Sequence, residues 1–250
     1  MDNDDFTNIF GIPDLDIPIH RTYPKKWLLN LMTTGSDGLR SPSTWDDPFE
    51  NFFLESGKVA LGNDQFADLK SLASDWYGQC WTTKPDTDAL WRIYSTDKQG
   101  IQVTTTAKKL FNNLKNFGSS AWYLQFFIGS VKYLRQDEIL ALMNKISFAD
   151  VAFDLTGPGF AELLCIKREA FMHEAEIRIL FQDIEPRRGA NATLSYPLDA
   201  NDIFYQLTLD PRLTPAEAQS LEGDLRHAGC ILPIRRSDLY DAPSFVIRSN

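Results

Sequence analysis

The run Glu176-Ile177-Arg178-Ile179-Leu180-Phe181 constrains the fold of this chain more than any other stretch. Side chains on a strand point alternately to the two faces of a sheet. Extended back to Glu174, the pattern puts Glu174, Glu176 and Arg178 on one face and Ile177, Ile179 and Phe181 on the other. The apolar face needs a core to cover it. The opposite face gathers two carboxylates and a guanidinium, which perturb one another's ionisation. Such a face can perform catalysis or grip a ligand. A solvent-facing charge ladder on an edge strand, which blocks sheet-to-sheet association, has the same pattern.

A chain of 250 residues fits one large domain, or two small ones at most. Its six Trp, eight Tyr and 17 Phe suit a wide core or a stacking pocket for a planar ligand. The net charge of −9 gives an acidic surface that repels phosphate backbones, which argues against general nucleic-acid binding. Arg187-Arg188 and Arg235-Arg236 are expected to decorate loops. No apolar run approaches the length of a membrane span, and Met1-Asp2-Asn3-Asp4-Asp5 lacks the basic-then-apolar pattern of a secretory leader. A cytoplasmic location without membrane attachment is expected. Cys80, Cys165 and Cys230 form neither a disulfide framework nor a Cys-x-x-Cys pair, and His20, His173 and His227 have no ligand spacing, so no metal is expected.

Residues 1–18 read as an irregular lead-in and residues 19–250 as one α+β domain. Strands are expected at 19–23, 39–43, 76–83, 101–104, within 121–134, and at 203–209. Helices are expected at 25–32, closed by Gly35, and at 63–74, 106–114, 137–146 and 159–171. A short helix from Asp86 would set Leu90, Trp91 and Tyr94 on one side. Asp46-Asp47-Pro48 reads as a turn. Thr214-Pro215-Ala216-Glu217 is a capping box with Pro at the first helical position, followed by Ala218, Leu221, Leu225 and Ala228 at helical spacing until Gly229. The fold class that follows is a mixed, mainly antiparallel sheet flanked by short helices.

The common catalytic signatures are absent: no Walker loop, Rossmann glycine triplet, Gly-x-Ser-x-Gly elbow or His-Glu-x-x-His. Carboxylate-centred chemistry or plain binding remains. Three blocks carry a resemblance: Trp45-Asp46-Asp47-Pro48-Phe49-Glu50, Leu90-Trp91-Arg92-Ile93-Tyr94 followed by Gly100, and Phe171 to Arg178. Their order resembles the bacterial family named domain of unknown function 2971, across about residues 20 to 240. The departures are Trp45-Asp46 in place of Phe-Asn and Phe171 in place of Trp.

More distantly, the chain resembles arginine-type ADP-ribosyltransferases, with an Arg on an early strand, Ser-Thr-Ser on a middle strand and Glu-x-Glu leading into a late one. The matching positions are Arg21, Thr82-Thr83 and Glu174-x-Glu176, although Cys80-Trp81-Thr82-Thr83 departs from Ser-Thr-Ser. The resemblance implies a split sheet and NAD as substrate, with activity suited to a toxin or phage-defence effector. In it Glu176 holds the nicotinamide ribose and Glu174 orients the nucleophile. Arg21 grips a phosphate, and Thr82 supports the fold of the site. Tyr23 and Arg178 join the nucleotide-binding set, and Trp91 or Tyr94 stacks on a flat ring; the last two also suit a core. Two alternatives stay open. One is a non-catalytic module that binds a small-molecule nucleotide or a protein partner. The other is a Mg²⁺-dependent nuclease or nucleotide hydrolase using Asp47, Glu174 and Glu176.

Overall fold

The computed structural model describes residues 8–45, 47, 58–62, 65–68, 75–117, 125–145, 159–183 and 192–243. The strands are β1 (Ile9–Phe10), β2 (Pro18–Pro24), β3 (Ser36–Arg40), β4 (Lys58–Gly62), β5 (Gln65–Asp68), β6 (Trp76–Thr82) and β7 (Gly100–Thr106). They continue with β8 (Phe126–Ser130), β9 (Lys132–Leu134), β10 (Ile166–Arg168), β11 (Glu176–Gln182), β12 (Thr193–Pro197), β13 (Gln206–Leu209) and β14 (Ile234–Arg236). The helices are α1 (Lys25–Thr34), α2 (Asp88–Tyr94), α3 (Ala107–Phe117), α4 (Gln136–Met143), α5 (Gly159–Leu163), α6 (Ala200–Ile203) and α7 (Pro215–His227).

One large sheet runs β1-β8-β11-β6-β2-β7-β13-β14, with β3 joined to β6 and β12 to β3. Among the described residues only the β1–β8 and β13–β14 pairings in it are parallel, so the sheet is mainly antiparallel, as the sequence predicts. Its centre is split. Strands β2 and β6 meet through the single pair His20 and Thr82. Beyond that point β2 stays with β7, while the other end of β6 takes β3 through Arg40 and Gly78.

Alternation assigns the two faces. Ile19, Tyr23, Tyr77, Trp81, Ile101, Val103, Ile177, Ile179 and Phe181 turn to the larger core, with Leu28 and Leu31 of α1, Leu110 and Leu114 of α3, and Leu221 and Leu225 of α7. A smaller cluster on the opposite face packs Trp76, Phe127 and Leu180 against Phe160 and Ala161 of α5. Helix α2 sits on that same face over β2, and the space between these two coverings is the mouth of the split.

Local chemistry explains the helix ends. Gly35 closes α1 with φ near 63°, donating its N–H to the Leu31 carbonyl. Thr214 and Glu217 cap α7 reciprocally, as their spacing predicts. Thr87, one residue after the expected Asp86 start, caps α2 by accepting the Leu90 N–H.

Several expectations are corrected. Residues 65–68 form a strand paired with β4; the rest of the expected helix, 63–64 and 69–74, lies outside the described residues. The expected helix 159–171 stops at Leu163, because Ile166–Arg168 pairs in parallel with β9 and tertiary pairing overrides a helical pattern. A 3₁₀ turn, Glu169–Glu174, follows. The second strand begins at Ser36 rather than 39, and Pro42–Thr44 is a 3₁₀ turn. Ile203 ends α6, whose first turn is capped by the Asp199 carboxylate accepting the Asn201 N–H, so the late strand starts at Gln206. Arg235-Arg236 lies in β14 rather than a loop, and the lead-in contributes β1. Arg187-Arg188, residues 121–124, and Asp46 and Pro48 lie outside the described residues.

Candidate active site

The mouth of the split is a cleft of about 100 Å³, partly open to solvent and lined by His20, Arg21, Thr22, Cys80, Trp81, Thr82, Leu90, Tyr94, Glu174 and Glu176. Thr82 is the register partner of both His20 and Glu176, so the three stand in one row across β2, β6 and β11. Residues in register on adjacent strands share a face, which puts all three side chains on the cleft side.

Glu174 does not extend that row along β11. It ends the 3₁₀ turn, and Ala175 takes a left-handed conformation, φ 43°, before the strand begins. Its carboxylate nevertheless reaches the same place. Lys167 Nζ on β10 donates to Glu174 Oε2 at 2.6 Å and to Glu176 Oε1 at 2.8 Å. Thr82 Oγ1 donates to the Glu174 carbonyl at 2.5 Å and the Thr83 N–H to the Ala175 carbonyl, tying the turn to β6. Tyr94 OH donates to Glu174 Oε1 at 3.2 Å from the other side of the cleft.

Glu176 is held from behind. Arg178 Nε and Nη2 donate to its Oε2 at 2.8 and 2.7 Å, and Arg178 Nη1 to the Leu164 carbonyl. The Glu176 N–H donates to the Tyr133 hydroxyl. Arg178 is fully buried, with its guanidinium 4.4 Å from the centre of the Trp45 ring. It is outside the cleft lining and reaches a ligand only through Glu176.

These neighbours divide the two carboxylates. Burial raises Glu174, reinforced by the hydrogen bond shared with Glu176, and carries it to about 7 despite Lys167. Burial opposes the charge of Glu176 too, yet the adjoining Arg178, the bond to Glu174 and Lys167 outweigh it and hold that group at about 2. Within the pair the negative charge therefore favours Glu176 and the proton Glu174. Burial also lowers His20 to about 4, so its imidazole is neutral at pH 7; Nδ1 pairs with Thr104 Oγ1 at 3.1 Å. Tyr133 is pushed up to about 12, chiefly by burial.

The remaining expected site residues divide between the cleft and the surrounding packing. Arg21 lines the cleft only from within the split: its guanidinium lies over the Tyr23 ring, and Nη1 donates to the Cys80 carbonyl at 2.6 Å. Tyr23 is buried on the core face, where its hydroxyl donates to Asp37. Trp91 is buried and donates Nε1–H to Asp86, so it belongs to the packing of α2 and not to the cleft wall. Tyr94, one turn away, is half exposed and lines the cleft. Asp47 pairs with Arg168 at 2.8 Å instead of joining the two glutamates. Among the described residues no group of three or more metal-ligating side chains forms. No helix among them is long and apolar enough to cross a membrane.

Sequence reasoning missed His20 and Lys167. The parity of β2 held the signal for the first: with Ile19 and Tyr23 as core residues, His20 must face the other way and Arg21 with the core. Lys167 was hidden because its strand sits inside a stretch with helical spacing.

No family model matches the chain, and neither does any curated protein, so membership of domain of unknown function 2971 finds no support there. Among solved structures, DarT of Thermus sp. 2.9 in complex with NAD+ is similar at 10% identity and a TM-score of 0.39, over 90% of this chain and 96% of that one. The same protein with ADP-ribosylated single-stranded DNA gives 10% identity and 0.40, over 89% and 94%. Its complex with carba-NAD+ gives 12% and 0.37, over 89% and 96%. Likeness at this level leaves the function to be argued from the cleft itself.

Proposed function

We propose that this chain cleaves the bond between nicotinamide and ribose in NAD and passes the ADP-ribosyl group to a nucleophile or to water. The observation that carries the reading is the unequal carboxylate pair at the split: Glu176, kept anionic by Arg178 and Lys167, beside Glu174, poised near neutrality.

Cleavage of that glycosidic bond develops positive charge on the ribose. Both bond electrons leave with the nicotinamide nitrogen, which departs neutral, and the ribose passes through an oxocarbenium-like state. Glu176 presents a fixed negative charge from a buried position, where it needs little reorganisation to stabilise that cation. The acceptor hydroxyl then forms the new bond to the ribose carbon and gives its proton to Glu174. A carboxylate with its pKa near the working pH is suited to that transfer. Neutral His20 lies in the same row and offers a hydrogen-bonding ring that does not repel the cation. The half-exposed Tyr94 ring gives a planar ligand a wall to lie on.

The reading is tested with NAD labelled in its adenylate half, incubated with the protein and bacterial lysate. Label should appear either on a lysate component or as free ADP-ribose, and protease or nuclease treatment then gives the acceptor class. NAD that stays intact in both settings contradicts the reading.

A further inference from the structure

We infer that Lys167 is a positioning residue that divides the charge between Glu174 and Glu176 and so sets the pH at which the cleft becomes competent. The inference rests on the NAD-cleaving reading for its kinetic readout, but not for its spectroscopic one.

The geometry is specific. Lys167 is 8% exposed and sits at the centre of the three-residue strand β10, whose pairing with β9 fixes its height against the cleft. Its ammonium donates to one oxygen of each glutamate, at 2.6 and 2.8 Å, and lies 4.8 Å from the centre of the Phe171 ring. Glu176 gives its other oxygen to Arg178, so its position survives without the lysine. Glu174 has no guanidinium among its hydrogen-bond donors; Lys167 and Tyr94 are the side-chain donors seen on its carboxylate among the described residues. The lysine therefore acts most strongly on the carboxylate that exchanges the proton.

Among the described residues, charged and titratable groups reach it from several elements. Glu174 comes from the 3₁₀ turn, Glu176 and Arg178 from β11, and Tyr94 from α2. Tyr133 comes from β9 and Cys80 from β6. Tyr94 and Tyr133 are raised, first by burial, and stay neutral at pH 7. Arg168 of β10 lies over the same Phe171 ring but is paired with Asp47, which leaves Lys167 and Arg178 as the cations bonded to the two glutamates. A cation at hydrogen-bond distance lowers a carboxylate's pKa by about 1–3 units. Losing it should move the ionisation of Glu174 upward by that amount.

The test compares wild type, Lys167→Met and Lys167→Arg. In nicotinamide release from NAD, the acid limb of the rate profile should move up by about 1–3 units in the Met variant and stay near wild type in the Arg variant. A Met variant slowed by one factor at every pH, with its limb unmoved, would overturn the inference and leave a merely structural lysine. If the protein does not cleave NAD, the proposed function fails separately. Carboxyl ¹³C titration of labelled glutamates then decides: a Glu174 midpoint raised in the Met variant supports the inference, and an unmoved midpoint overturns it. Should the Met variant fail to fold, wild type suffices. The Lys167 ammonium resonance must titrate with the midpoint of Glu174, and a midpoint of its own overturns the inference.

Discussion

Glu174 and Glu176 share one ammonium. Lys167 lies 2.6 Å from the first and 2.8 Å from the second, although the two glutamates belong to a turn and to a strand. Two buried carboxylates this close cannot both carry full charge without a cation between them. Arg178 then breaks the symmetry by binding Glu176 alone. The functional reading depends on that asymmetry.

Arg178 should matter as a support and not as a ligand contact. Removing one partner of a buried ion pair leaves an uncompensated charge, which costs about 3–5 kcal/mol. Arg178→Met is expected to lose that much stability in denaturant titration and to raise the pKa of Glu176. A variant as stable as wild type would show that the pair is not what holds Glu176.

Trp91 and Tyr94 lie on one short helix, yet their substitutions should separate. Trp91→Phe removes a buried N–H donor to Asp86 and is expected to cost about 1–3 kcal/mol of stability while leaving the KM for NAD within about twofold. Tyr94→Phe removes the hydroxyl on Glu174 and should keep stability but slow transfer about tenfold, the scale of one hydrogen bond. Thermal unfolding beside steady-state kinetics checks both; the reverse assignment would place Trp91, not Tyr94, at the ligand.

His20 gives stability a pH dependence of defined sign. Its pKa is about 4 in the fold and 6.5 in the unfolded chain, so the unfolded state binds more protons between those values. Its contribution is complete above pH 6.5 and is lost as pH falls toward 4, by about 3 kcal/mol. Glu174 runs the other way: raised to about 7, it favours the fold below its unfolded value and loses that advantage as pH rises through 7. Denaturant melts of His20→Leu across pH 4–7 should show the acid-side slope reduced. An unchanged slope would mean that His20 is not buried neutral.

Gly129 is required by the edge of the sheet. A Cβ there would overlap the Phe10 ring of β1, the strand that pairs with β8 at this residue. Gly129→Ala should displace β1 and cost about 1–3 kcal/mol. Faster amide exchange at Ile128, whose N–H donates to the Asn8 carbonyl, would report the displacement, and retained protection would contradict it.

How far the sequence carried this account depended on the kind of signal. The faces of β11 were readable from Ile177, Ile179 and Phe181, and the start of α7 from Thr214 and Glu217, because alternation and capping are local rules. The residue Lys167 was not readable, since a three-residue strand is created by its pairing with β9 and not by its own composition. Glu174 was placed near its true neighbours for the wrong reason. It reaches Glu176 through a turn at Ala175 that carries no glycine to announce it. Arg21 stands on an early strand, where the sequence puts it, but strand parity sends its side chain into the split and leaves His20 on the cleft face.

The most direct test of the central claim is nicotinamide release from NAD by wild type beside Glu176→Gln, with NAD binding followed by thermal shift in both. The account predicts release by wild type, a loss of about 10²–10³-fold or more in the variant, and a melting temperature still raised by NAD in each. Equal release by the two proteins, or no release and no NAD-dependent shift by wild type, would contradict it.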